Sequence, residues 1–289
     1  MKKFDIAGIR LGFTYQYRPY FEDNIEPYRI DDDAEVDYTL TISTLDRIEP
    51  PLSDPIYTYK NRHMHHEEGY LIRAVYDDDG AVKILMKHSD DYKVNEIQLA
   101  RKLKHRLSEL EYVLSGLMFM EIALKEGLFP LHASAVGHKG QAVLFSASSG
   151  EGKSTHANYW RQLLDDVVIL NDDKPLIYER DGQYYAAGTP WSGKHTINHN
   201  LSLPLRAIVF LEKGDENSHE EIDDEAKLKA LLKNGVRPGN EQLMGQALTM
   251  IDRLIERVPM LRLKAKHDAS SVTCIYKKLF LEGSGKCSK

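Results

Sequence analysis

A nine-residue segment, ASSGEGKST at 147–155, limits what this chain can fold into more than any other. It follows a short apolar run, Gln141 to Ser146, and leads into Thr155 to Leu164, which predicts a helix. A glycine-rich loop between a strand and a helix suits an anion. Glycines let several backbone N–H groups converge where a Cβ would obstruct them, and the helix N-terminus adds partial positive charge. Gly150 and Gly152 are the permissive positions, Lys153 is the cation for the β and γ oxygens of a nucleoside triphosphate, and Ser154 is the hydroxyl for magnesium. Ser149, Glu151 and Thr155 complete the expected nucleotide-contacting set, with ATP and Mg²⁺ as the implied cofactors. The usual pattern is G-x-x-x-x-G-K-[ST], and Ala147 replaces its first glycine. That replacement fails only if the position demands a positive φ.

A nucleotide site of this kind also needs a carboxylate near the metal. Asp172 and Asp173 follow the apolar run Val167 to Leu170 at the spacing expected of an acidic second motif. Adjacent residues of an extended segment point to opposite faces. One aspartate can then hold the metal while the other takes a proton from a substrate hydroxyl; the bland alternative is that one of them caps the next turn. Which of the two would do which is left open. Gly188 to Lys194 (GTPWSGK) is shaped for close approach to a ligand, and Lys194 is placed to neutralise a transferred phosphoryl group; equally, Trp191 could plug the core with Lys194 merely exposed. Arg206, just before a very apolar strand, is a weaker candidate for the same role.

The chain changes character along its length. Residues 1–94 are β-rich, with runs at Phe4 to Tyr15, Tyr38 to Ser43, Ile56 to Tyr59, Tyr70 to Tyr76 and Ala81 to Lys87. Asp77-Asp78-Asp79-Gly80 reads as a hairpin loop. Residues 95–128 form a helical connection, on the spacing of Leu99, Leu103, Leu107, Leu110, Leu117 and Leu124, ended by Gly127. Residues 129–282 alternate strands and helices, with a hairpin around Asp181-Gly182, and 283–289 form a flexible tail. Histidines at 63, 65 and 66 lie in a turn-like polar stretch, and His195 and His199 in a loop; neither group has the fixed geometry of a zinc site.

Composition excludes some partners. A net charge of −6 gives no electrostatic reason to expect nucleic acid or an anionic membrane. The two cysteines, Cys274 and Cys287, make no disulfide framework. There is neither a signal-peptide h-region nor a stretch near the roughly 20 apolar residues of a membrane span. The expectation is a cytoplasmic protein.

Taken in order, LHASAV (131–136), ASSGEGKST (147–155) and LNDD (170–173) resemble the C-terminal catalytic domain of HPr kinase/phosphorylase and, more distantly, the ATP-dependent phosphoenolpyruvate carboxykinases. GTPWSGK (188–194) followed by PLRAIVFLEKG (204–214) is similar to HPr-kinase-like proteins found beside peptide-modification genes, some of which phosphorylate a serine of a lasso-peptide precursor. The resemblance spans about residues 110–280. It implies an α/β (α+β) fold with a phosphate-loop core of the HPr kinase/carboxykinase type. It carries the phosphate-loop role to Gly150, Gly152, Lys153 and Ser154 and the acidic pair to Asp172 and Asp173. His132 matches a histidine near the site of the HPr kinases, although a lone histidine in an apolar run is more often structural. The family's N-terminal domain has no counterpart in residues 1–110, and GTPWSGKHTINHN (188–200) replaces the segment tied to phosphorolysis, so neither HPr nor the reverse reaction is carried over.

The resulting expectation is an ATP/Mg-dependent kinase acting on a serine of a protein or peptide. The β-rich part would serve substrate recognition or build a homo-oligomer. The alternatives are a small-molecule or carboxykinase-like enzyme and a non-catalytic nucleotide-binding partner in a peptide-modification system.

Overall fold

Eight strands occupy the first hundred residues of the computed structural model, which describes residues 1–17, 21–193, 196–266 and 268–281. They are β1 (Lys2–Ile6), β2 (Ile9–Thr14), β3 (Tyr38–Leu45), β4 (Tyr57–Tyr59), β5 (Arg62–Glu67), β6 (Tyr70–Tyr76), β7 (Val82–Ser89) and β8 (Val94–Ala100). They form one sheet in the order β1-β2-β3-β8-β7-β6-β5-β4. Only the β2–β3 and β3–β8 joins are parallel. Period-2 burial sets the registers: Tyr38, Leu40 and Ile42 on β3 and Asn95, Ile97 and Leu99 on β8 point inward. A short helix, α1 (Glu22–Ile25), precedes β3, and a long one, α2 (Leu107–Lys125), follows a 3₁₀ stretch at Arg101–Arg106.

Two expectations change here. Residues 95–100 are strand, not helix. Leu99 belongs to the alternation of Asn95 and Ile97, and pairing with β3 and β7 decides the matter; the leucine spacing is helical only from Leu107 onward. The histidines at 63, 65 and 66 lie on β5 rather than in a turn. Alternation buries His65, whose Nδ1 is 2.8 Å from the Ser53 carbonyl oxygen, and exposes His66 beside Asp90.

The chain divides into two units, Met1–Ile122 and Ala123–Lys289. The second contains β9 (Phe129–Pro130), β10 (Ala133–His138), β11 (Gln141–Ser146), α3 (Lys153–Leu163), β12 (Val168–Asn171), β13 (Leu176–Arg180), β14 (Gln183–Ala187), β15 (Ser202–Lys213), β16 (Ser218–Glu221), α4 (Asp224–Asn234), α5 (Glu241–Arg257), β17 (Met260–Ala265) and α6 (Ser270–Tyr276). Its nine strands run β12-β10-β11-β15-β14-β13-β9, with β17 also on β15 and β16 on β17. Strands β11, β15 and β17 are mutually parallel. Because β10 is antiparallel to both β11 and β12, the C-terminal ends of β11 and β12 share an edge with the start of β10.

Trp160 and Ala157 on α3 and Val272 and Ile275 on α6 cover the sheet through Val143, Phe145 and Val209. Side-chain caps start two helices: Asp223 accepts from the Ala226 N–H at 2.8 Å, and Asn240 from the Leu243 N–H at 3.1 Å. The architecture is thus a mixed α/β one with two large sheets. No helix among the described residues is long and apolar enough to cross a membrane.

Candidate functional site

The site grows from the end of β11. Ser146 closes the strand, Ala147 to Gly152 form the loop, and Lys153 begins α3. Gly150 and Gly152 have φ of 81° and 93°, values an L side chain rarely adopts. Ala147 is not among the residues with positive φ, so alanine replaces the usual glycine without strain, and its methyl packs into the core.

Lys153 is only 7% exposed. Its Nζ donates to the carbonyl oxygens of Ala147 at 2.9 Å and Ser148 at 3.2 Å. Burial pushes its pKa below the ordinary lysine value, and nearby Asp173 opposes that push. The Glu151 carboxylate accepts from the Ser148 N–H at 3.1 Å, so a loop amide already holds an anionic oxygen.

The acidic pair follows β12. Asp172, 7% exposed, accepts a 2.6 Å hydrogen bond from Ser134 Oγ on β10. Asp173 Oδ1 lies 3.1 Å from His132 Nε2 and 3.3 Å from Lys174 Nζ. Burial tends to raise the Asp173 pKa, but the His132 hydrogen bond and the Lys174 charge outweigh it and hold the carboxyl below its ordinary value. The His132 main chain is pinned too: its N–H donates to the Asn234 carbonyl oxygen at 2.8 Å, and its own carbonyl oxygen accepts from Ser146 Oγ at 2.9 Å. Lys153, Asp172, Asp173 and His132 thus meet at one edge of the sheet.

Asn171, fully buried, joins this edge to the loop after β14. Its Nδ2 donates to the carbonyl oxygens of Thr189 at 2.8 Å and Trp191 at 3.3 Å. Its Oδ1 accepts from the N–H groups of Asp173 at 2.8 Å and Lys174 at 2.6 Å. At Gly188 the chains pass so closely that a Cβ would overlap the carbonyl oxygens of His199 and Leu170. Trp191 is buried in this loop. Lys194 and His195 lie outside the described residues, as do residues 282–289, which include the expected tail.

Arg206 is not brought to this edge. On β15 it sits beside the first residues of β11, Ala142 and Val143, whereas Ser146 pairs with Phe210. Arg206, in the middle of β15, therefore lies four residues, about 13 Å at the strand rise of ~3.3 Å per residue, from the residue that pairs with Ser146. The Arg206 guanidinium donates to the Leu279 carbonyl oxygen at 2.7 and 3.0 Å. That is a structural use, and Arg206 is removed from the phosphate-binding candidates.

Ser134, Asn171, Thr189 and Lys174 were not singled out from the sequence. The first two lie inside the quoted LHASAV and LNDD motifs. A polar residue in each apolar strand was the available signal, but its partner is 38 residues away for Ser134 and 18 for Asn171.

The family model of the SynChlorMet cassette protein ScmC matches residues 95–266, more than half of the sequence. The chain belongs to that family. Comparison with curated proteins returned no match. Among solved structures, the chain is similar to the HPr(Ser) kinase/phosphatase from Coxiella burnetii, with 15% identity over 43% of this chain and 90% of that one and a TM-score of 0.22.

Proposed function

We propose that this protein is an ATP- and magnesium-dependent kinase that phosphorylates a serine hydroxyl of a protein or peptide. The observation that carries this reading is the meeting of a desolvated ammonium, Lys153, with Asp172, Asp173 and His132 beside a glycine-rich helix N-terminus. Support also comes from the order of the motifs, which is that of the HPr kinases.

The residues present fit a nucleotide phosphate. Lys153 is buried against carbonyl oxygens, the Ser148 N–H already donates to a carboxylate, and a Cβ at Gly150 would meet nothing within 4 Å, so the loop is open there. Ser154 and Asp172 are the residues that would hold magnesium, which when bound neutralises charge on the phosphoryl oxygens. Ser134 fixes the orientation of the buried Asp172 carboxylate, which suits a metal ligand.

The Asp173 side chain is 28% exposed, so an incoming hydroxyl can reach it. His132 and Lys174 keep it ionised and ready to accept the serine proton. The serine oxygen bonds to the γ-phosphorus, the bond to the bridging oxygen of ADP breaks, and the proton goes to Asp173. Loose transition states of this kind depend mainly on position and charge, so a carboxylate of low basicity is adequate.

The test is γ-phosphate transfer from ATP to serine peptides, with serine and other small metabolites assayed in parallel. Asp173→Asn is expected to lower kcat by roughly 10²–10⁴-fold with little change in KM for ATP, on the scale of a lost general base. Full transfer by an Asp172→Asn, Asp173→Asn double variant would sink the reading. Nucleotide binding without turnover on any acceptor would favour a non-catalytic partner instead.

A further inference from the structure

We infer that the loop at 188–193 is the back wall of the proton-accepting carboxylate, with Asn171 and Gly193 as the residues that position Asp173. The inference rests on the kinase reading above, and it gives a use to the GTPWSG stretch that the reading leaves without one.

The loop is tied down by side chains from the acidic turn. Asn171, at the end of β12, uses both ends of its amide: Nδ2 holds the carbonyl oxygens of Thr189 and Trp191, and Oδ1 holds the N–H groups of Asp173 and Lys174. Thr189 returns the tie, its Oγ1 donating to the Lys174 carbonyl oxygen at 2.8 Å. Asn171, Thr189, Trp191 and Ser192 are all buried. One buried amide therefore fixes the loop and the backbone of Asp173 together. Aspartate would keep the acceptor and lose the donor, and leucine would lose both.

At the other end of the loop Gly193, with φ of 74°, lies directly against the Asp173 side chain. A Cβ at this position would stand 3.2 Å from Asp173 Cβ and 3.5 Å from its Cγ, with Oδ2 at 3.9 Å. The carboxylate would then have to give by a few tenths of an ångström. It has little freedom to do so, because His132 and Lys174 both hold Oδ1, at 3.1 and 3.3 Å. Gly188 makes a useful contrast. Its missing Cβ lets two backbones cross, whereas the missing Cβ of Gly193 leaves room for the side chain that takes the proton.

Asp173 is thus held from three sides. Asn171 takes its N–H, His132 and Lys174 take Oδ1, and Gly193 sets the limit behind Cβ and Cγ. A general base works only within hydrogen-bond reach of the proton it removes, and a misplacement of about 1 Å can cost roughly 10²-fold in rate. A wall that tolerates only tenths of an ångström suits that requirement.

The experiment uses the full chain, ATP labelled in its γ-phosphate, and a pool of peptides with a central serine and randomised flanks. Gly193→Ala is expected to lower kcat about tenfold while KM for ATP stays within about twofold, as a small displacement of the base would do. Gly193→Asn separates crowding from conformation, because asparagine tolerates a positive φ but still carries a Cβ. It is expected to be no better than Gly193→Ala. The third arm repeats Gly193→Ala in an Asp173→Asn background. A residue that acts through Asp173 has nothing left to position there, so the remaining rate should change by less than about twofold. Gly193 is only half-buried, and circular dichroism checks that each variant is folded. Full transfer by Gly193→Ala overturns the inference, as does recovery in Gly193→Asn or a tenfold loss that persists without the Asp173 carboxylate. Each of those results leaves the kinase in place. No transfer by the wild-type chain rejects the kinase reading, and the inference falls with it.

Discussion

Each sheet unit sets a cation beside carboxylates, and the two do so in opposite ways. In the N-terminal unit Arg73 on β6 meets Glu121 on α2 through two hydrogen bonds of 2.6 and 2.8 Å. Fork and carboxylate answer each other, and Glu121 is 3% exposed. In the C-terminal unit Lys153 is buried, but its hydrogen bonds go to loop carbonyls, and the neighbouring acids are held by Ser134 and His132. The first arrangement is closed and serves the fold. The second leaves its charges only partly compensated, which costs stability and leaves room for a charged substrate.

Breaking the closed pair should have the largest effect on folding. Arg73→Met leaves Glu121 as an uncompensated buried charge and is expected to lower unfolding free energy by about 3–5 kcal/mol, read by urea denaturation. Because the desolvated Lys153 ammonium is held below its ordinary pKa, the matching change there has the opposite sign. Lys153→Met should leave stability unchanged or raised while transfer is lost; a destabilisation as large as that of Arg73→Met would erase the contrast.

Acid should act on a third group. His156 on α3 is buried between Trp160, whose Nε1–H donates to its Nε2 at 3.1 Å, and Ser271, whose Oγ is 3.1 Å from its Nδ1. Desolvation lowers its pKa to about 4. The folded chain then keeps His156 neutral while the unfolded chain takes a proton near pH 6.5. Stability is present above pH 6.5 and is lost as pH falls from there toward 4. The loss totals ~3 kcal/mol at 1.36 kcal/mol per pKa unit, and a His156→Gln variant should flatten it in denaturation curves taken across that window.

The smallest effect sharpens the comparison within the site. Ser134→Ala removes one hydrogen bond from the Asp172 carboxylate. Transfer should fall by about 10-fold at low magnesium, as for an outer-shell ligand, and recover part of the way at high magnesium; equal loss at every magnesium concentration would contradict the metal-ligand role proposed for Asp172.

Much of this was legible along the chain because its causes are local. The loop turns through positive φ at Gly150 and Gly152 just before α3 starts at Lys153, and those residues are neighbours in sequence. The same holds for the hairpin at Asp181-Gly182 and for the acidic pair at the end of an apolar strand. Where the cause was not local, sequence spacing misled. Leu99 fits a leucine ladder until β3 and β7 pair with it, and Arg206 lies near motif residues in sequence yet four residues along β15 from the partner of Ser146.

The sequence alone determined that a glycine-rich loop, a lysine and two aspartates exist and that a strand precedes each group. Only the tertiary structure decided that Ser134 orients Asp172, that His132 meets Asp173, that Asn171 ties the acidic turn to the 188–193 loop, and that Arg206 caps a carbonyl instead. The reason is register. Which side chains share an edge is set by strand pairing across tens of residues, and nothing local in those residues encodes it.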